Sequence, residues 1–298
     1  MKPNSIPWPQ VYLAVALTTL GTLLLELSLT RIFSVVFYYH FAFLAISIAL
    51  FGLGAGGVFS YVVAGWRGSL FSKLGRLSMA NSLLVLLALA TVLVQRDEPS
   101  GWRLGFIYFT TALPFFVSGA VVSLAISETI ERVDRVYFVD LLGAAAGCLL
   151  LVPFLNSIGG PSTVIAVAVI FAAAAALWHS MAGSILGRAG SVGLALALVA
   201  LLVFNIGKNL LDVRYAKGQK LENETFVRWN SFSRIALGKE RGSGIPMIFI
   251  DADASTGIAN FDFANLSARD RHDLLEQGPG IPYVIRPAAK TLVIGAGG

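Results

Sequence analysis

Charge and cysteine are what this chain has least of. Only 13% of its 298 residues are charged and 56% are hydrophobic, whereas soluble domains carry about 25% charged residues. With a mean hydropathy of +0.75, the composition excludes an ordinary soluble domain and indicates an integral membrane protein whose main partner is the lipid bilayer. The formal net charge is +5, but Lys and Arg are scattered among the loops without a basic stripe interleaved with aromatics. Nucleic acid is excluded as a partner on that ground. The single cysteine, Cys148, sits in an apolar run, so an intrachain disulfide and a cysteine-built metal site are excluded too. A cleavable leader is not expected either. Pro7 and Pro9 precede the first apolar run, and its one A-x-A-like triplet, Ala14-Val15-Ala16, opens the run instead of following it.

What the chain has is long apolar runs. Crossing a hydrocarbon core takes about 20 apolar residues, and seven candidates precede residue 210: Val11–Leu29, Phe37–Ala64, Leu74–Val94, Leu104–Ile126, Val136–Leu155, Ser162–Trp178 and Ser191–Ile206. The polar punctuation between them is short, as at Gly65–Gly68, Gln95–Pro99, Glu128–Arg135, Asn156–Pro161 and His179–Arg188. This pattern predicts tight helical hairpins and leaves no room for a folded domain before residue 210. The fold expected is an α-helical polytopic membrane bundle of about seven transmembrane helices over residues 1–209. A small β-rich segment over residues 210–298 follows, ending in the first strand of a Rossmann-like domain.

Short-loop cations give conflicting signs of orientation. Lys2, Arg67, Lys73, Arg76, Arg132, Arg135 and Arg188 fall on one side, against Arg31, Arg96 and Arg103 on the other, which puts the N-terminus in the cytoplasm. Seven crossings would then carry the tail outside. Lys208, Arg214, Lys217 and Lys220 nevertheless read as a cytoplasmic juxtamembrane segment. The expectation adopted is a miscounted span and a cytoplasmic tail.

In the tail, Phe226–Leu237 and Ile245–Ile250 alternate as strands do, with Gly242-Ser243-Gly244 between them as a hairpin turn. Ser267 is placed to cap a short helix ending near Gln277, with Asp270 in its first turn. The chain then passes Pro282 and Pro287 to a strand at Thr291–Ile294. The strand leads into Gly295, Gly297 and Gly298, a pattern that permits a tight turn and close approach of backbone to a nucleotide. The same glycines are also consistent with a plain turn.

Polar residues inside the apolar runs are the other candidates. An ionised Glu26 in the first run costs a few kcal/mol in lipid, so it is expected to be protonated, satisfied by another helix, part of a ligand or proton site, or placed at the interface. Arg31, five residues on, lies about 140° around the helix from Glu26 and is expected to snorkel to the interface. His40 reads as interfacial, and Asp140 is expected to pair with the nearby Arg132 or Arg135. Gly52 with Gly56, and Gly143 with Gly147, each clear one helix face for close packing.

Two segments carry a resemblance. Gly21-Thr-Leu-Leu-Leu-Glu26-Leu-Ser-Leu-Thr30-Arg31 with Ala49-Leu-Phe-Gly52-Leu-Gly54, and later Tyr137-Phe-Val-Asp140-Leu-Leu-Gly143-Ala-Ala-Ala-Gly147, resemble bacterial multi-span spermidine synthase-like membrane proteins. Those proteins join a faintly major-facilitator-like bundle to an aminopropyltransferase domain. In the tail, Asn230–Ile235, Ile248-Phe-Ile250-Asp251 and His272-Asp273 are similar to that domain's strands and its His-Glu pair. Ser233, Ala252, Ser255, Arg271 and Asp273 stand where the family has Gln, Gly, Gln, Tyr and Glu.

The resemblance implies a transferase of the bacterial inner membrane using S-adenosylmethionine or its decarboxylated form. Its acceptor would be a small molecule, a polyamine or another nucleophile, and methyl transfer is the alternative chemistry. It also implies that Gly295, Gly297 and Gly298 contact the cofactor and that Asp251, His272 and Asp273 lie on the substrate side. By the same resemblance the chain stops within the glycine motif, and a chain ending there is expected to be inactive. A transporter-like or binding protein with a non-catalytic tail is the competing expectation. A homo-oligomer is compatible with the sequence.

Overall fold

The structure, a computed structural model, describes residues 6–97, 101–222, 224–239, 244–258, 264–276, 280–287 and 290–292. Among these residues six helices are long and apolar enough to cross a membrane: α1 (Trp8–Val36), α2 (Tyr39–Ala64), α3 (Leu70–Leu93), α4 (Trp102–Ser127), α5 (Val133–Met181) and α6 (Ile185–Lys208). Ser69 and Ser184 cap α3 and α6 by accepting from the amides of Ser72 and Gly187. Asn209 ends α6 in the left-handed conformation, φ 47°.

The 49-residue α5 covers two of the expected spans. Asn156–Pro161, expected as a loop, lies within it, and the only break is Gly159 at φ 78°, ψ 172°. That break is a sharp reversal. Gly143 and Gly147 press on Ala16 and Leu20 of α1, while Phe171 meets Gly21 of the same helix. In a straight helix residues 147 and 171 would be about 36 Å apart, so the two halves of α5 must lie side by side against α1.

Small residues set how closely these helices approach. A methyl on Gly52 would stand 2.8 Å from the Ala112 carbonyl oxygen and 2.8 Å from Phe115 Cβ, and one on Gly56 would overlap the Phe116 carbonyl. Both expected glycine seams are therefore occupied by neighbouring backbone. Apolar packing fills the rest, with Phe33, Phe115, Phe171 and Val164 in one buried cluster and Val11, Leu124 and Trp178 in another.

After α6 the chain forms a short hairpin, β1 (Tyr215–Ala216) with β2 (Gln219–Lys220). An antiparallel meander follows: β3 (Phe226–Trp229), β4 (Arg234–Lys239), β5 (Pro246–Ile250) and β6 (Ala254–Gly257), paired in sequence order. The strand expected over Phe226–Leu237 is a hairpin, because Asn230 Oδ1 accepts from the amides of Phe232 and Ser233, 2.7 Å each, and turns the chain. β5 matches the expected strand, and the turn expected at Gly242-Ser243-Gly244 falls largely outside the described residues. Two short helices end the described chain, α7 (Ala268–Glu276) and α8 (Ile281–Ile285). Ser267 caps α7 as expected, its hydroxyl accepting from the Asp270 amide at 3.1 Å.

Every strand pair among the described residues is antiparallel. Thr291 and Leu292 lie outside any strand, and 293–298 are outside the described residues.

Candidate functional site at the junction of bundle and sheet

The helix of α1 continues past its apolar run through Thr30-Arg31-Ile32-Phe33, carrying Arg31 to the end of the bundle that faces the sheet. Its guanidinium does not snorkel freely. Nη2 donates to the Phe232 carbonyl and reaches the Asp251 carboxylate at 3.3 Å, with both side chains largely shielded from solvent. Two residues singled out on separate grounds, 220 positions apart, thus meet.

Asp251 is built into the sheet by the β5 register. Ile235 pairs with Ile250, so the next rung sets Asp251 beside Arg234. The Asp251 amide donates to the Arg234 carbonyl at 2.9 Å, and the Arg234 amide donates to Asp251 Oδ1 at 2.7 Å. Asp251 and Ala252 then take φ 51° and 57° in the turn to β6. Left-handed backbone at both positions is the geometry of a tight hairpin turn, in which glycine is favoured second.

Arg234 itself is buried and forks onto Glu224, with nitrogen–oxygen distances of 2.8 and 2.6 Å. A second strap lies nearby. The Lys217 amide donates to the Val36 carbonyl at 2.7 Å, and its Nζ donates to the Asp251 carbonyl at 2.7 Å and pairs with Asp253 at 3.3 Å. Trp229 of β3 covers the α5 reversal, its ring meeting the space above Gly159 and Gly160. Asp212, in the connector from α6, accepts from the Val213 amide at 2.8 Å. Burial pushes its carboxyl above the ordinary aspartate value, outweighing that hydrogen bond and the nearby Arg234.

The remaining candidates are dispersed. His272 pairs with Glu276 at 3.0 Å and Asp273 with Arg269 at 4.0 Å, both along the exposed face of α7. Glu26 lies half-buried in α1 without a side-chain partner among the described residues. Asp140 does not pair with Arg132 or Arg135. Its backbone carbonyl accepts from Thr19, while its Oδ1 is buried with no hydrogen-bond partner. The reason is local packing, since the flanking Gly143 draws this face of α5 against α1. His40 stacks on Tyr38, with 4° between the ring planes, and meets Phe41 at a tilt of 35°. Gly295, Gly297 and Gly298 lie outside the described residues.

Chemically, the junction holds and orients. The Asp251 carboxylate receives the Arg31 guanidinium and a backbone amide, which fixes the sheet against α1. Among the described residues no group of three His, Cys, Asp or Glu side chains is placed to bind a metal ion. The sequence marked Lys217 only as one of four juxtamembrane cations and did not single out Arg234, because a polar stretch gives no local sign of which charge will be buried at a junction. In comparisons with known proteins, no family model, curated protein or solved structure matches this chain.

Proposed function

We propose that this chain is the membrane anchor and docking platform of a spermidine synthase-like transferase of the bacterial inner membrane. The observation that carries the reading is the Arg31–Asp251 contact. It ties the segment resembling the family's first span to the segment resembling its Leu-x-Leu-Asp-Gly strand, and it seats the antiparallel meander on the bundle. In this reading α5 crosses the membrane twice, so the bundle makes seven crossings and the sheet lies on the face opposite the N-terminus.

With Lys208, Arg214, Lys217 and Lys220 counted beside Arg31, Arg96 and Arg103, cations are equal in number on the two faces. Charge bias then sets no orientation, and no span need be miscounted. The donor assigns the side, since a sulfonium nucleoside is a cytoplasmic metabolite; the tail faces the cytoplasm and the N-terminus the opposite side.

The chemistry proposed is attack of a deprotonated acceptor amine on a carbon bonded to the donor's sulfonium. The carbon–sulfur bond breaks and the thioether nucleoside leaves. Gly295, Gly297 and Gly298 are the proposed cofactor contacts, with Asp251 holding the substrate-side sheet in place.

The test is binding of radiolabelled decarboxylated and ordinary S-adenosylmethionine to the full-length protein in native membranes, followed by transfer to polyamines. Binding of the decarboxylated donor with aminopropyl transfer supports the synthase form, and methyl transfer from the ordinary donor supports the alternative. Binding of neither refutes the transferase reading.

A second reading, a transporter-like or binding protein, is favoured by the unpartnered Asp140 Oδ1 and by Glu26. It predicts transport that Glu26→Gln abolishes and Asp251→Asn spares.

A further inference from the structure

Beside the junction lies a small cleft, open to solvent, where the ends of α1, α2 and α3 meet the β1–β2 hairpin. Phe37, Tyr38, Phe41 and Tyr215 form its walls. They stand where Val36 ends α1, Tyr39 begins α2 and Leu93 ends α3, the level at which aromatic residues meet lipid headgroups. Arg96 lies over the Tyr215 ring, 5.8 Å from its centroid. At that distance the ring attracts the charge without using its N–H donors, and the guanidinium has no hydrogen-bond acceptor among the described residues.

Lys217 closes the other side, 5.6 Å from the Tyr38 ring, with its charge shared with Asp253. Asp97 is the acid on the wall and is opposed by Arg103 at 3.7 Å. From Gln95, a residue common to both, a second and apolar groove continues past Val94 and Phe106 on the exposed side of α3 and α4.

We infer that this cleft binds phosphate, and that the groove assigns the phosphate to the headgroup of an anionic phospholipid. Arg96 holds the phosphate oxygens through two parallel N–H donors. Phe37 and Phe41 pack on the glycerol, and an acyl chain lies along Val94 and Phe106. The headgroup would thereby join the α3–α4 loop to the hairpin that straps the sheet to α1.

Native mass spectrometry of the full chain in detergent, with equimolar phosphatidylglycerol and phosphatidylcholine, tests this. The unaltered chain is expected to retain phosphatidylglycerol about tenfold over phosphatidylcholine. Arg96→Gln should bring the two to parity, Arg96→Lys, which keeps the charge and loses the paired donors, should keep only part of the preference, and Arg188→Gln at the opposite end of the bundle should leave it unchanged. Millimolar glycerol phosphate separates the two sources of phosphate. If it displaces the lipid and binds with the same dependence on Arg96, the site takes soluble phosphate esters and the lipid assignment is overturned. No preference in the unaltered chain, or an undiminished preference in Arg96→Gln, overturns the site itself.

Discussion

Replacing Arg31 with alanine should loosen the sheet from the bundle without unfolding either. At 3.3 Å, and with an effective dielectric of about 20, the attraction between Arg31 and Asp251 is about 5 kcal/mol before desolvation. Charged hydrogen bonds contribute about 1.5–3 kcal/mol net. The side chains keep 18% and 25% of their exposure, so screening places the docking loss near the lower bound, about 1.5 kcal/mol. The Lys217 amide, donated to the Val36 carbonyl across the junction, reads docking directly. Its hydrogen exchange should quicken about tenfold, while amides of the β4–β5 ladder change less than about threefold. Asp251→Asn keeps the acceptor for the Arg234 amide and should cost less. Combined with Arg31→Ala it should add little, giving a coupling of about 1 kcal/mol. An unchanged Lys217 amide in Arg31→Ala would refute the reasoning.

Three further outcomes follow from the geometry. Ala252→Gly relieves a left-handed alanine in the β5–β6 turn and should slow exchange of the Asp253 amide about threefold, a net gain of about 0.5–1 kcal/mol; faster exchange would contradict the turn. Gly56→Val drives a side chain into the Phe116 carbonyl, whereas Gly54 has open space above it. The first should therefore lower the thermal stability of the detergent-solubilised protein by about 1–3 kcal/mol and Gly54→Val by little, and equal effects would count against the α2–α4 seam. Because the folded state raises the Asp212 carboxyl above 3.8, the folded chain binds that proton more tightly than the unfolded one. The stability so gained is present below that ordinary value and is lost as pH rises through the raised one. Asp212→Asn should flatten this part of the melting temperature against pH, and an unaltered slope would exclude Asp212 as its source.

Much of the bundle was legible because crossing lipid demands runs of about 20 apolar residues, and such runs are visible one at a time. The glycine pairs at Gly52 and Gly143 were legible for the same reason, since a bare helix face is a local property. The α5 reversal was half-legible. Asn156–Pro161 marked the place, but a single glycine at φ 78° accomplishes the turn, so a loop was expected where helix continues on both sides. In the tail, the period-two alternation over Phe226–Leu237 hid the turn that Asn230 makes through its own side chain. β6 and the β1–β2 hairpin are too short to leave a periodic trace. At the junction, Arg31 was conspicuous as a cation at the end of an apolar run, whereas Asp251 was marked only by the resemblance. Their pairing was not, because a contact across 220 positions has no local signature. Asp140 shows the converse error, since proximity in sequence to Arg132 and Arg135 suggested an ion pair that helix packing does not make.

The seating of the sheet on α1 is tested most directly by a distance between the two parts. Tyr39, at the start of α2, and Ser255, in β6 of the meander, are both exposed and can carry spin labels in a Cys148→Ala chain reconstituted in bilayers. A seated sheet predicts one narrow distance distribution that broadens when Arg31 is replaced by alanine. A broad distribution in the chain with Arg31 intact would contradict the docking.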